Sequence, residues 1–146
     1  MLNQDFKEFI QFLNANRVHY LVVGGYAVAF YGYPRYTKDI DIWIEASSEN
    51  ATKVMQALRD FGFGSLDLTT EDFATFNQVI QLGYPPSRID LLTSVDGIKF
   101  EDCYDSRVSI ELEGLVVNFI DLDNLRLNKK ASGRLQDLAD LENLSD

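Results

Sequence analysis

Cysteine occurs once in this chain, at Cys103, and histidine once, at His19. A single thiol excludes an intrachain disulfide, and one cysteine with one histidine cannot build a structural zinc site. Both side chains are read as packed or solvated. Long apolar runs are missing too: no stretch approaches the roughly 20 residues that cross a membrane, and the N-terminus MLNQDFKEF has no signal-peptide pattern. These absences predict a cytoplasmic chain with no membrane partner. Positive charge is scarce, with 13 Lys and Arg against 23 Asp and Glu and a net charge of −10. Such a field repels the phosphates of long nucleic acid and of anionic bilayers, so a small molecule or a protein fits better as a partner.

What is present argues for a folded globule. Hydrophobic residues make up 46% of the 146 and aromatic residues 12%, enough for a real core in one domain over residues 1–146. No repeat, low-complexity tract or linker interrupts it. Phe6, Phe9, Ile10 and Leu13 recur at helical spacing, which predicts a helix over Asp5 to Asn16 capped by Asn3 or Asp5. Ser47 or Ser48 caps a second helix through Asp60, ended by Gly62 and Gly64, with Val54 and Leu58 in its buried stripe. Thr69 to Phe73 reads as a capped turn, and Phe76 to Leu82 as a strand. Tyr84, Pro85 and Pro86 turn the chain into a strand over Arg88 to Leu92. A short helix is predicted over Lys99 to Tyr104. Glu113-Gly114 sits between an alternating strand, Arg107 to Leu112, and an apolar one, Leu115 to Ile120, as a hairpin signal. Asp121 caps a helix through about Lys130. After Gly133 a last helix over Leu135 to Leu144 is predicted to bury Leu135, Leu138, Leu141 and Leu144 on one side.

The stretch Leu21 to Ile44, LVVGGYAVAFYGYPRYTKDIDIWI, has a chemistry of its own. An apolar strand, Tyr20 to Val23, runs into Gly24-Gly25 and a short helix over Tyr26 to Tyr31; a turn at Gly32, Tyr33 and Pro34 then leads to a strand with two aspartates. In a strand, successive side chains alternate, so Asp39 and Asp41 share one face while Ile40, Ile42 and Ile44 share the other. With alpha carbons about 7 Å apart along the strand, the two carboxylates can lean toward a common point, which suits a hard divalent ion such as Mg²⁺ or Mn²⁺. Thr37 and Trp43 fall on the aspartate face, where Trp43 could stack on a base or pack into the core. Gly24 and Gly25 let a ligand approach the backbone, and helix-start N–H groups favour phosphate. Arg35 offers a bidentate phosphate contact; Lys38 is on the isoleucine side of the alternation. The plain alternative is an amphipathic edge strand with solvated acids, and a solvated turn before it.

Gly24-Gly25, then Asp39-Ile40-Asp41, then Asp90 in RIDLL resembles the active-site pattern of the DNA polymerase beta nucleotidyltransferase superfamily. The strings GGYAVAFYG and RYTKDIDI are similar to its small bacterial and archaeal members, which include minimal nucleotidyltransferases, abortive-infection nucleotidyltransferase toxins and antibiotic nucleotidyltransferases. The resemblance covers residues 18 to 92 well and the tail loosely. It departs at Gly25, where many catalytic members carry serine. It implies an α+β fold with a central mixed sheet flanked by helices, and C-terminal helices. It implies catalytic and metal-holding roles for Asp39, Asp41 and Asp90, and nucleotide contacts from Gly24, Gly25, Arg35 and Thr37. Lys129, Lys130, Arg134 and Asp137 look like the K-x-x-x-G-R-x-x-D string that related members carry near the site, which adds the three cations to the nucleotide-binding set. The implied reaction is Mg²⁺-dependent transfer of NMP from an NTP donor to a hydroxyl on a small molecule, a protein or an RNA end. The alternative is a non-catalytic, antitoxin-like module of a toxin–antitoxin pair that binds a partner protein.

Overall fold

The computed structural model describes residues 2–32, 39–63, 67–83 and 88–144. Its scaffold is a six-stranded mixed sheet built from β1 (Tyr20–Val23), β2 (Asp39–Ile44), β3 (Val79–Leu82), β4 (Arg88–Leu92), β5 (Val108–Leu112) and β6 (Leu115–Phe119), in the order β3-β4-β2-β1-β6-β5. Seven helices are described: α1 (Gln4–Ala15), α2 (Gly24–Phe30), α3 (Ser48–Phe61), α4 (Thr70–Ala74), α5 (Phe100–Tyr104), α6 (Leu122–Ser132) and α7 (Leu135–Asn143). This is the α+β architecture the sequence implies, and among the described residues no helix is long and apolar enough to cross a membrane.

Local chemistry sets the boundaries. The Asn3 side chain accepts from the Phe6 N–H at 2.9 Å and starts α1, whose Phe6, Phe9, Ile10 and Leu13 are buried. Ser47 caps α3 by accepting from the Asn50 N–H at 3.1 Å, and Gly62, left-handed at φ 104°, ends it. Thr69 and Asp72 form a reciprocal capping box at α4. Asp121 caps α6, and Gly133 closes it. At the β5–β6 turn Glu113 and Gly114 both take positive φ, 52° and 84°, the conformation a two-residue hairpin of matching twist requires.

The centre of the sheet is its most buried part. All four residues of β1 are buried, between an antiparallel β2 and a parallel β6. In β2 the side chains of Ile40, Ile42 and Ile44 are buried while Asp39 and Asp41 are partly open. Strand β4 lies parallel to β2, with Asp41 opposite Asp90 and Trp43 opposite Leu92. Its antiparallel partner is β3, the hairpin partner that the sequence suggests. Parallel pairing demands a long crossover, and α3, α4 and β3 supply it.

Three expectations change. The strand predicted from Phe76 starts only at Val79, because Asn77 takes φ 64° and breaks the extended run; Phe76 stays 63% exposed. Trp43 is not free to stack on a base: it is buried, edge-to-face against Phe100 at 5.1 Å. The leucines of α7 do not form one buried side. Leu135 is 88% exposed and Leu138 45%, while Asp137, Asp140 and Leu144 are buried. Three-residue spacing advances only about 300° per step on a helix of 100° per residue, so four such leucines drift around the axis. The face turned inward is the one whose carboxylates meet the buried Lys129.

Candidate active site

Two adjacent cavities open over the aspartate face of β2 and β4. One, about 360 Å³, is lined by Gly24, Gly25, Asp39, Asp41, Arg88 and Asp90, with Lys129, Arg134, Gln136 and Asp137 closing it from α6 and α7. The other, about 350 Å³, shares Gly24, Asp41, Lys129, Arg134 and Asp137 and extends along Leu92, Ser94 and Asp96. The sheet register creates the cluster. Asp41 is opposite Val23 at the end of β1, immediately before Gly24, and opposite Asp90 on its other side. Neighbouring strands lie about 4.8 Å apart, so Asp41 and Asp90 project side by side from the same face.

Gly24 is required by this crowding. Its φ is +67°, and a β-carbon there would overlap Oδ2 of Asp41 and lie 3.0 Å from its Cγ. Glycine therefore serves twice, for the left-handed backbone and for the approach of the carboxylate.

The electrostatics are unbalanced. Burial pushes the Asp41 carboxyl up to about 6, helped by the charge of Asp90, by a hydrogen bond with Asp90 that favours the protonated form, and by Asp39; Lys129 pulls the other way. Two carboxylates can share only a proton or a cation, since neither carries a donor of its own when ionised. Asp90 is 7% exposed, and its Oδ1 has no hydrogen-bond partner among the described residues. Its Oδ2 and the Asp39 Oδ2 both hold one Arg88 nitrogen, at 3.2 and 2.8 Å. Arg88 Nε is itself buried without an acceptor. An orphaned carboxylate oxygen, a carboxyl raised by burial and then by its neighbours, and all-oxygen donors fit a hard divalent cation. Among the described residues no three acidic, His or Cys side chains converge as a ready ligand set; Arg88 stands between Asp39 and Asp90.

The opposite wall is a buried ion cluster. Lys129, 5% exposed, donates to Asp137 at 3.0 Å and lies 3.2 Å from Asp140. Arg134 reaches Asp137 with Nε at 2.6 Å from its outer, exposed position. Burial would raise the Asp137 carboxyl, but the hydrogen bonds from Arg134 and Lys129 outweigh it and bring it down to about 2.

Of the candidate residues, Gly24, Gly25, Asp39, Asp41, Asp90, Lys129 and Arg134 line one cavity. Lys130 does not: it is exposed on α6 and lies outside both lobes, because the next residue on a helix points about 100° away. Arg35, Thr37 and Lys38 fall outside the described residues. Cys103 is buried, and burial holds its thiol up at about 11, so it is an inert packed group. Sequence reasoning passed over Arg88, although strand alternation puts it on the Asp90 face. It also passed over Asp140, one helical turn beyond Asp137.

The sequence profile of a family described as "Nucleotidyltransferase of unknown function (DUF6036)" matches residues 1–145. Solved structures share the fold. A lincomycin-bound lincosamide antibiotic adenylyltransferase, LnuA, superposes with a TM-score of 0.64 at 16% identity, covering 100% of this chain and 98% of the other. A putative nucleotidyltransferase from Thermotoga maritima gives 0.62 at 16% identity, with 96% and 88% covered. An antigenic nucleotidyltransferase-like protein from Paracoccidioides brasiliensis gives 0.57 at 17% identity, with 98% and 77% covered. No curated protein matches the sequence.

Proposed function

The chain belongs to this nucleotidyltransferase family, and on that premise we propose that it moves a nucleoside monophosphate from an NTP to a hydroxyl on a small-molecule acceptor, releasing pyrophosphate. The observation that carries this reading is a cluster of three carboxylates that the single charge of Arg88 balances only in part. Asp39, Asp41 and Asp90 share one cavity with Gly24-Gly25, Asp41 is raised to about 6, and Asp90 keeps an oxygen without a partner. The three acids would hold the divalent metal, Mg²⁺ or Mn²⁺, once Arg88 releases Asp39 and Asp90. A bound divalent ion supplies charge neutralisation of the triphosphate and of the attacking oxygen.

The protein's own groups do the remainder. Gly24 and Gly25 leave the backbone bare for the phosphates, and Lys129 and Arg134, both tied to Asp137, would counter phosphate charge only where it competes with that carboxylate. The acceptor oxygen bonds to the α-phosphorus as the bond to the bridging oxygen breaks, and that oxygen leaves with the electron pair in pyrophosphate. The acceptor's proton passes to Asp90, whose Oδ1 has no donor to displace. The fold shared with LnuA, a lincosamide antibiotic adenylyltransferase, supports a small acceptor, and the net charge of −10 opposes a nucleic-acid one.

Calorimetry with ATP, CTP, GTP and UTP in the presence of Mn²⁺ tests this. The wild type should bind at least one of them in a metal-dependent manner, and Asp41→Asn should lose that binding while remaining folded. A wild type that binds no nucleotide, or an Asp41→Asn variant that binds it equally, sinks the reading.

A further inference from the structure

A third cavity, about 300 Å³, lies beyond the second lobe of the site and differs from it in chemistry. Trp43, Phe76, Ile98 and Phe100 make half of its lining residues, and Thr93, Ser94, Lys99 and Glu101 complete it. Its volume is at the small end of ligand pockets, and its mix of apolar walls with a few polar groups is the usual one for them. Ser94 belongs to both the apolar cavity and the lobe that contains Asp41. The sheet explains this continuity: Trp43 follows Asp41 by two residues on the same face, about 7 Å along the strand, and lies opposite Leu92, which lines the catalytic lobe.

Two features mark the pocket as more than a packing gap. Phe76 stands 63% exposed at it, although it is a large aromatic residue. It is held there: Ser94 Oγ accepts from the Asn77 N–H at 3.1 Å and donates to Asn77 Oδ1 at 3.0 Å, and Thr93 Oγ1 accepts from the Gln78 N–H at 2.9 Å. The segment that carries the ring is thus pinned to the end of β4. Second, the cavity reaches Trp43, a residue on the same face of β2 as Asp41, so that its wall is continuous with the strand that carries the carboxylates. The charged groups on the lining are one of each sign, Lys99 and Glu101, which favours an uncharged occupant.

We propose that this cavity is the acceptor subsite, and that it takes an uncharged molecule with an aromatic or aliphatic body whose hydroxyl reaches back along Leu92 and Ser94 to Asp41 and Asp90. The proposal rests on the transferase reading above. It narrows the acceptor from small hydroxyl compounds in general to amphiphilic ones, and it excludes sugars without an apolar arm.

Trp43 is the sole tryptophan, so its indole ¹H–¹⁵N cross-peak is a single, assigned reporter for the pocket. Titrating ¹⁵N-labelled protein with 4-phenyl-1-butanol, without nucleotide, should shift that peak saturably. Butan-1-ol, which has the hydroxyl and no ring, should bind at least fivefold more weakly. Phe76→Ser, an exposed position whose loss leaves the core intact, should weaken 4-phenyl-1-butanol at least fivefold while the backbone amide spectrum remains that of the folded protein. An indole peak that does not move up to the solubility limit, or equal affinity in Phe76→Ser, overturns the proposal, and nucleotide binding by calorimetry then stands unaffected. Probe binding in a protein that binds no nucleotide also overturns the acceptor role.

Discussion

Replacing Asp41 by Asn should stabilise the metal-free protein while abolishing its proposed activity, because the wild-type carboxylate is held in a place that disfavours its charge. Its carboxyl sits at about 6 in the folded chain against an ordinary 3.8. The folded state therefore holds the proton more tightly than the unfolded state does. Stability contributed by the protonated group is complete below about pH 3.8 and is lost as pH rises through about 6. Two pH units at 1.36 kcal/mol each make the loss about 3 kcal/mol at pH 8. Asn carries no charge at any pH, so its advantage over the wild type should widen between pH 5 and pH 8 by about 1.5 kcal/mol. For a domain of this size, about 3 kcal/mol corresponds to a Tm rise of roughly 6–12 °C at pH 8. Urea melts of both proteins in a chelating buffer at pH 5 and pH 8 measure it. Adding Mn²⁺ should then stabilise the wild type and not the variant, since only the wild type keeps the third carboxylate. A variant with no greater relative stability at pH 8 than at pH 5 would refute the claim that Asp41 is an uncompensated charge, and with it the main support for a metal there.

Gly24→Ala should cost about 1–3 kcal/mol in urea unfolding and should weaken Mn²⁺ binding, because the added methyl displaces the Asp41 carboxylate; a silent substitution would mean that Asp41 need not lie against the turn. Arg88→Gln should tighten Mn²⁺ several-fold in a paramagnetic resonance titration, since the guanidinium occupies Asp39 and Asp90; unchanged affinity would mean that Arg88 does not compete with a metal. Lys129→Met should destabilise the fold by about 3–5 kcal/mol by removing the buried cation that Asp137 and Asp140 share, although Arg134 stays on Asp137, again read by urea. Leu135→Ser should fall within about 0.5 kcal/mol of wild type, whereas Leu144→Ser should cost about 2–5 kcal/mol; equal effects would restore the leucine face that the structure removes.

The capped helices α1, α3 and α6 and the Glu113-Gly114 hairpin were legible because each rests on a contact within three or four residues: Asn3 to Phe6, Ser47 to Asn50, Asp121 to Asn124. Strand alternation likewise put Asp39 and Asp41 on one face without knowledge of what the strand packs on. The last helix was misjudged for the complementary reason. Its spacing is satisfied by several rotations, and the demand of Lys129, buried on the neighbouring helix, for Asp137 and Asp140 selects one.

Which residues carry charge, which face of each strand they share and where the chain turns were therefore fixed by composition and local geometry. That Asp41 and Asp90 are neighbours was not. It depends on β4 lying parallel beside β2 in one register out of several, a choice made by burying Ile40, Ile42, Ile89 and Leu91 together across roughly fifty residues of intervening chain. Likewise, nothing in the order of residues announces Arg88 between two acids, or a pocket joining Ser94 to Trp43 and Phe76. Those are properties of surfaces that meet only when the sheet has closed, because a cavity is bounded by side chains whose distance in space is unrelated to their distance along the chain.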